Sequence, residues 1–177
     1  WRRDTVRLNV VQEQIDIGVR IGRLADSRLI ARKIGETCEK IVMAPDLLRK
    51  LGKPKDLADL QKNYPLAAVL NHNNGRADTW YINENLQFTP TKPHFVGSHI
   101  HNALQAALAG NAVSQQLDWV VAPYLLSGEL VELFAEVPKI RWPVSIYRPQ
   151  RVVTPMRVKV VFDLLAGILG KRFELPA

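Results

Sequence analysis

Apolar positions along the chain switch repeatedly between two periods. Over residues 16–22, Ile17, Val19 and Ile21 alternate with other residues, as in a strand, and Gly22 ends the run. Residues 29–34 and 38–44 predict two more strands, the second centred on Ile41, Val42 and Met43, with a turn at Asp26 and Ser27 before the first. Residues 66–70 are apolar throughout, which predicts a strand buried on both faces, and Asn71-His-Asn-Asn-Gly75 is a loop by its turn chemistry. Residues 79–82 and 86–89 pair as a hairpin around 83–85. Further strands are expected at 112–117, around Leu130, Leu133 and Phe134, and over 143–147.

Between these runs the spacing becomes helical. Val6, Val10 and Val11 share one side of a helix within 5–14. Pro45 and Asp46 open a helix over 47–51 that Gly52 terminates, and 56–60 forms a helical turn. Ser98 caps a helix over 100–109 with an apolar stripe of Leu104, Ala107 and Leu108, closed by Gly110. Asp118 caps another over 119–126, bent by Pro123 and stopped by Gly128. After Thr154 and Pro155, the residues Val158, Val161, Phe162, Leu165, Ile168 and Leu169 recur at amphipathic spacing. Strands and helices alternate throughout, which predicts an α/β protein with a mostly parallel sheet.

Composition narrows the class. The chain has 177 residues, 47% of them hydrophobic and 23% charged, a globular composition for one domain or two small lobes. No run approaches the roughly 20 apolar residues of a membrane helix, and no secretory signal opens the chain. It starts at Trp1 rather than Met, which points to a fragment or a processed chain. The single Cys38 excludes an internal disulfide framework and fits a reducing cytoplasm. Net charge is +7, distributed as +4 over residues 1–33, −3 over 34–138 and +6 over 139–177. The basic residues are spaced singly, without interleaved aromatics, so a solvated surface or an anion-contacting face explains them better than a nucleic-acid face.

Catalytic motifs are missing. G-x-S-x-G, G-x-G-x-x-G and the P-loop pattern do not occur. His99 and His101 are two residues apart, which on a helix turns their rings about 200° away from each other, and no Cys or Glu pair stands nearby at zinc spacing. No metal, cofactor or enzymatic activity is expected. A small-molecule pocket is better supported. Ser98 and His99 lie at a helix start, where backbone N–H groups favour an anion. Arg20 is a charge within an apolar strand, and Asn71, His72 and Asn73 follow the carboxyl end of a buried strand. Each also has a plainer reading: a helix cap, a strand-surface charge and a turn.

Five segments, in order, resemble LysR-type transcriptional regulators. Asp16-Ile-Gly-Val-Arg-Ile-Gly-Arg-Leu-Ala-Asp-Ser-Arg-Leu-Ile-Ala-Arg32 is similar to the family's D-x-A-I-R-x-G-x-L-x-D-S-x-L-x-A-R segment. Residues 43–60 resemble S-P-x-Y-L-x-x-x-G-x-P-x-x-P-x-D-L, residues 103–110 resemble A-x-x-x-A-A-L-A-G, and residues 118–131 resemble x-W-L-V-A-x-x-L-A-x-G-x-L-V. Tyr147-Arg-Pro149 with 158–165 resembles the family's ending. One departure is local: after Gly110 the chain lacks the family's second Gly and its Pro.

The resemblance implies a periplasmic-binding-protein-like type II fold: two Rossmann-like lobes joined by crossing strands, with the first lobe incomplete. Residues 1–40 and 145–177 would form lobe I and 41–144 lobe II, with a small-molecule cleft between. Carried onto matching positions, the effector-binding candidates are Thr5, Arg20, Asn71, Ser98 and His99, whose polarity favours an anionic metabolite. The helix over 99–109 would resemble the family's dimer surface, implying a homodimer or tetramer in the cytoplasm. DNA would be bound only through an N-terminal domain absent here. The runner-up reading is a periplasmic solute-binding protein of a transporter, and a metal hydrolase using His99 and His101 comes third.

Overall fold

The computed structural model describes residues 15–24, 28–72, 74–150 and 154–173. The helix expected within 5–14, Thr5, the Asp26-Ser27 turn and Asn73 lie outside the described residues. The first elements are β1 (Gly18–Ile21), β2 (Leu29–Thr37), β3 (Glu39–Met43), α1 (Pro45–Leu51), α2 (Leu57–Asn63), β4 (Leu66–Asn71), β5 (Arg76–Ala77), β6 (Trp80–Tyr81) and β7 (Gln87–Phe88). They are followed by β8 (Phe95–Gly97), α3 (Ile100–Leu108), β9 (Val113–Leu117), α4 (Asp118–Ser127), β10 (Val131–Leu133), β11 (Trp142–Pro149) and α5 (Met156–Phe173). The chain divides into two compact units, Trp1–Thr37 with Arg141–Ala177, and Cys38–Ile140.

In the first unit, β1, β11 and β2 form an antiparallel sheet in that order. Ile34, Val144 and Ile146 turn one face toward α5, where Phe162 and Ala166 complete a small core. Gly35, at φ 157, marks where α5 comes closest: a Cβ there would stand 2.4 Å from that of Phe173. The buried stripe of α5 is narrower than its sequence predicts. Val161 and Ile168 are exposed, and with Met156, Val160 and Leu164 they make the helix apolar on its outer side as well.

In the second unit, the sheet runs β10-β3-β9-β4-β5, with β8 also paired to β4. The expectation of a mostly parallel sheet is corrected here. Only β4–β8 and β4–β9 are parallel among the described pairs of this sheet. Next to β4, connection length sets the direction. The short turn after Asn71 can only return β5 antiparallel, whereas the segment containing α3 is long enough for a parallel crossover. One face of the sheet holds Ile41, Met43, Leu66, Val113 and Leu133, covered by Leu47, Leu60, Tyr64, Trp80 and Ile82. On the other face Val42 packs with Leu104, Ala107 and Val121 of α3 and α4, and Ala67 with Ala103.

Two expected helix caps are displaced by one residue. The N-cap of α3 is His99 rather than Ser98, and it makes no side-chain cap bond. The N-cap of α4 is Leu117; Asp118 is already helical, and its carboxylate accepts from the Trp119 N–H at 2.7 Å. Pro123 lies inside α4, which continues to Ser127 and ends at Gly128 in the left-handed conformation (φ 77) that glycine adopts without strain.

Candidate functional site

Parallel strands send their carboxyl ends to one edge of a sheet, and α/β proteins place ligands at that edge. In the second unit β4 ends in Asn71, β8 in Gly97 and β9 in Leu117. The register pairs Val69 with Gly97, so Ser98 lies level with the end of β4. Asn71, Ser98 and His99 are therefore brought to the same edge of this unit. Ser98 is exposed, and Asn71 and His99 are half-buried. The backbone of Asn71 holds its turn, its carbonyl accepting from the N–H of Asn74 at 3.3 Å and of Gly75 at 2.9 Å. The first turn of α3 contains no acidic residue, so its dipole is open to an anion.

Arg20 belongs to the other unit. It sits on β1 in register with Ser145, while its neighbours Val19 and Ile21 share the register rows of Ile146 and Val144. Strand alternation thus puts Arg20 on the sheet face that α5 does not cover. Thr5 lies outside the described residues. His101 is exposed on α3, and the described residues contain no group of three His, Cys, Asp or Glu side chains that could hold a metal.

Several polar groups near this edge escaped the sequence reading. Gln116 is fully buried; its Nε2 donates to the Ile100 carbonyl at 3.2 Å and to Ser114 Oγ at 2.8 Å, which ties β9 to the first turn of α3. Its Oε1 has no protein partner. Gln115, on the opposite face, clasps the backbone of Tyr81 with bonds of 2.7 and 3.2 Å. Glu39 opens β3 in register with Leu117. Burial, followed by the charge of Asp78, pushes its carboxyl up to about 7. Burial also raises Asp78, against a hydrogen bond from Asn71 and the nearby His72. The available signals were a charge opening an apolar strand at Glu39 and consecutive amides within a strand at Gln115 and Gln116.

A separate open groove of about 530 Å³ runs along α3 and β8, lined by His94, Phe95, Asn102, Gln105 and Asn111 among others. It follows the flank of α3 rather than its start.

Comparison with known proteins follows the same lines. Residues 4–169 match the family described as LysR substrate binding domain. The regulator CrgA of Neisseria meningitidis serogroup C (strain 8013) is 27% identical over 167 residues, covering 92% of this chain and 54% of that protein. The transcriptional activator TtdR of Escherichia coli K12 is 25% identical over 175 residues, covering 96% and 54%. The chain thus spans about half the length of these relatives. Among solved structures, the regulatory domain of CrgA superimposes with a TM-score of 0.76 at 23% identity, covering 94% of this chain and 81% of that one. The regulatory domain of AphB from Vibrio vulnificus gives 0.77 at 20% identity with the same coverage. These likenesses establish the periplasmic-binding-protein-like type II fold.

Proposed function

Because this chain belongs to the LysR substrate-binding-domain family, we propose that it senses a small effector molecule for a transcriptional regulator. Cys38–Ile140 would serve as one lobe and the remainder as the other. The effector would contact Arg20, Asn71, Ser98 and His99, with Thr5 as a further candidate. The observation that carries the reading is the shared edge of Asn71, Ser98 and His99 beside the start of α3, which no side chain caps. That helix start and Arg20 favour an organic anion. The relatives are transcriptional regulators rather than enzymes, which also favours regulation over transport.

Signalling would be by linkage. An effector that binds one lobe arrangement more tightly shifts the population toward it, and one with equal affinity for both shifts nothing. The same proposal holds that the working protein is a homodimer or tetramer, cytoplasmic, and bound to DNA through a domain beyond this chain. No described helix is long and apolar enough to cross a membrane.

The test is a thermal-shift screen of the chain against organic acids and aromatic metabolites. At 100 times its dissociation constant an effector stabilises by about 2.7 kcal/mol. The reading expects at least one anion to raise Tm, Arg20→Ala to abolish that rise while leaving the unliganded Tm nearly unchanged, and Asn71→Ala to abolish it as well. No stabilisation by any compound, or equal stabilisation of both variants, would overturn it.

A further inference from the structure

Three consecutive polar residues are buried in a central strand. β9 lies between β3 and β4, and its Ser114, Gln115 and Gln116 are all shielded from solvent. Strand alternation turns Ser114 and Gln116 to one face and Gln115 to the other. Gln115 meets Tyr81, whereas Gln116 lies beneath α3, on the face where Val42 packs with Leu104 and Ala67 with Ala103. An apolar side chain would suit that place, because a buried polar atom without a partner costs stability. Gln116 carries such an atom in Oε1. The cation opposite it in the ladder, Lys40, is engaged with Glu132 at 2.6 Å.

The nitrogen of the same amide is fully used. It donates to the Ile100 carbonyl at 3.2 Å and to Ser114 Oγ at 2.8 Å. A carbonyl only accepts, so the nitrogen must face Ile100, and the amide oxygen is the atom left over. Ile100 is the first residue of α3. Helix ends fray, and the N-cap of this one, His99, makes no side-chain bond. Gln116 grips the first turn from the core side instead.

We propose that Gln116 is a positioning residue. It holds the first turn of α3 in place, so that the free N–H groups there stay aimed at the edge where Asn71, Ser98 and His99 gather. That this edge receives an effector rests on the reading above; the grip on the turn does not. Gln116 is fully buried, so its part is to place other groups rather than to contact a ligand. A turn that is already fixed has less to order when an anion binds, and affinity rises accordingly. Methionine has the same chain length without the amide. Gln116→Met therefore removes the grip and the unpaired oxygen together, two changes that oppose each other in stability. The substitution separates binding from folding.

The experiment compares the whole chain, wild type and Gln116→Met. Amide hydrogen exchange by NMR, without ligand, reads the Ala103 and Leu104 amides, which close the first turn of a helix that starts at Ile100. The Ala109 amide, bonded to the Gln105 carbonyl at 3.0 Å in the last turn, is the control. The variant should lose roughly tenfold or more of its protection at Ala103 and Leu104 and little at Ala109, with a guanidinium midpoint close to that of the wild type. Unchanged protection in the first turn, or an equal loss at all three amides, would overturn the proposal. Should the variant fold poorly, the wild-type side-chain amide protons of Gln116 decide: slow exchange supports the grip, and exchange at free-solution rates overturns it. Inorganic sulfate is then titrated at constant ionic strength and followed at the amides of His99, Ile100 and His101. Its dissociation constant should rise roughly tenfold in Gln116→Met. Equal sulfate affinity in the two proteins overturns the positioning role. A wild type that shows the exchange result but no sulfate shifts at these amides counts against the effector reading and leaves the grip on the turn standing.

Discussion

Phe162→Ala should cost the first unit about 3–5 kcal/mol, the usual range for emptying a buried phenylalanine site. The effect is large because the core there is small. Phe162 is one of five buried residues in its cluster, with Ile34, Val144, Ile146 and Ala166, and the side chains packed around them, Ile17, Leu165, Leu169 and Phe173, are only partly buried. The Arg148 guanidinium also lies 5.7 Å from the centre of its ring and would lose that contact. Guanidinium unfolding followed by circular dichroism measures the loss. Leu164→Ser, two residues along on the outer face of the same helix, should change stability by no more than about 0.5 kcal/mol, because that side chain is already exposed. Equal costs for the two substitutions would mean that α5 does not pack as described.

Trp80→Ala carries the second large effect, again about 3–5 kcal/mol. Trp80 is 3% exposed, packs in the cluster of Ile41, Met43, Leu60 and Leu66, and meets Phe88 with ring centres 5.3 Å apart at 60°. It pins the β6–β7 hairpin to the sheet. Its loss should therefore do more than lower stability. The exchange protection at Asp78, whose N–H bonds the Val69 carbonyl at 2.8 Å, should fall as well. Trp80→Phe, which keeps a ring in the site, should recover part of both. Full protection at Asp78 in Trp80→Ala would break the connection between the hairpin and the turn.

Local chemistry made much of this fold legible. Alternation at Ile17, Val19 and Ile21 is enough to mark β1, and the apolar run Leu66–Leu70 followed by Asn71 marks both β4 and its exit. The turn residues after that strand, and the polar start of α3, are what made Asn71, Ser98 and His99 candidates. What local patterns could not supply is pairing. The antiparallel entry of β3 beside β9 depends on residues far apart in sequence, so a simple count of alternating strands and helices overstated the parallel content. Caps slipped by one residue at α3 and α4 because the N-cap is set by backbone angles at His99 and Leu117, not by the nearest polar side chain. Gln115 clasps Tyr81, 34 residues away in sequence, a partner that its local pattern does not reveal. The outward apolar row of α5 misled in the opposite direction: Val161 and Ile168 keep helical spacing with the core residues yet stay exposed.

These parts bear on one functional question. The carboxyl edge of the second unit gathers Asn71, Ser98 and His99.

The most direct measurement is backbone amide NMR of the chain during titration with the best-stabilising organic anion. The account predicts saturable shifts centred on Arg20, Asn71, Ser98 and His99, with the amides at the start of α3 moving most. Shifts confined to the groove around Phe95, Gln105 and Asn111, or none with any compound up to millimolar concentration, would contradict it.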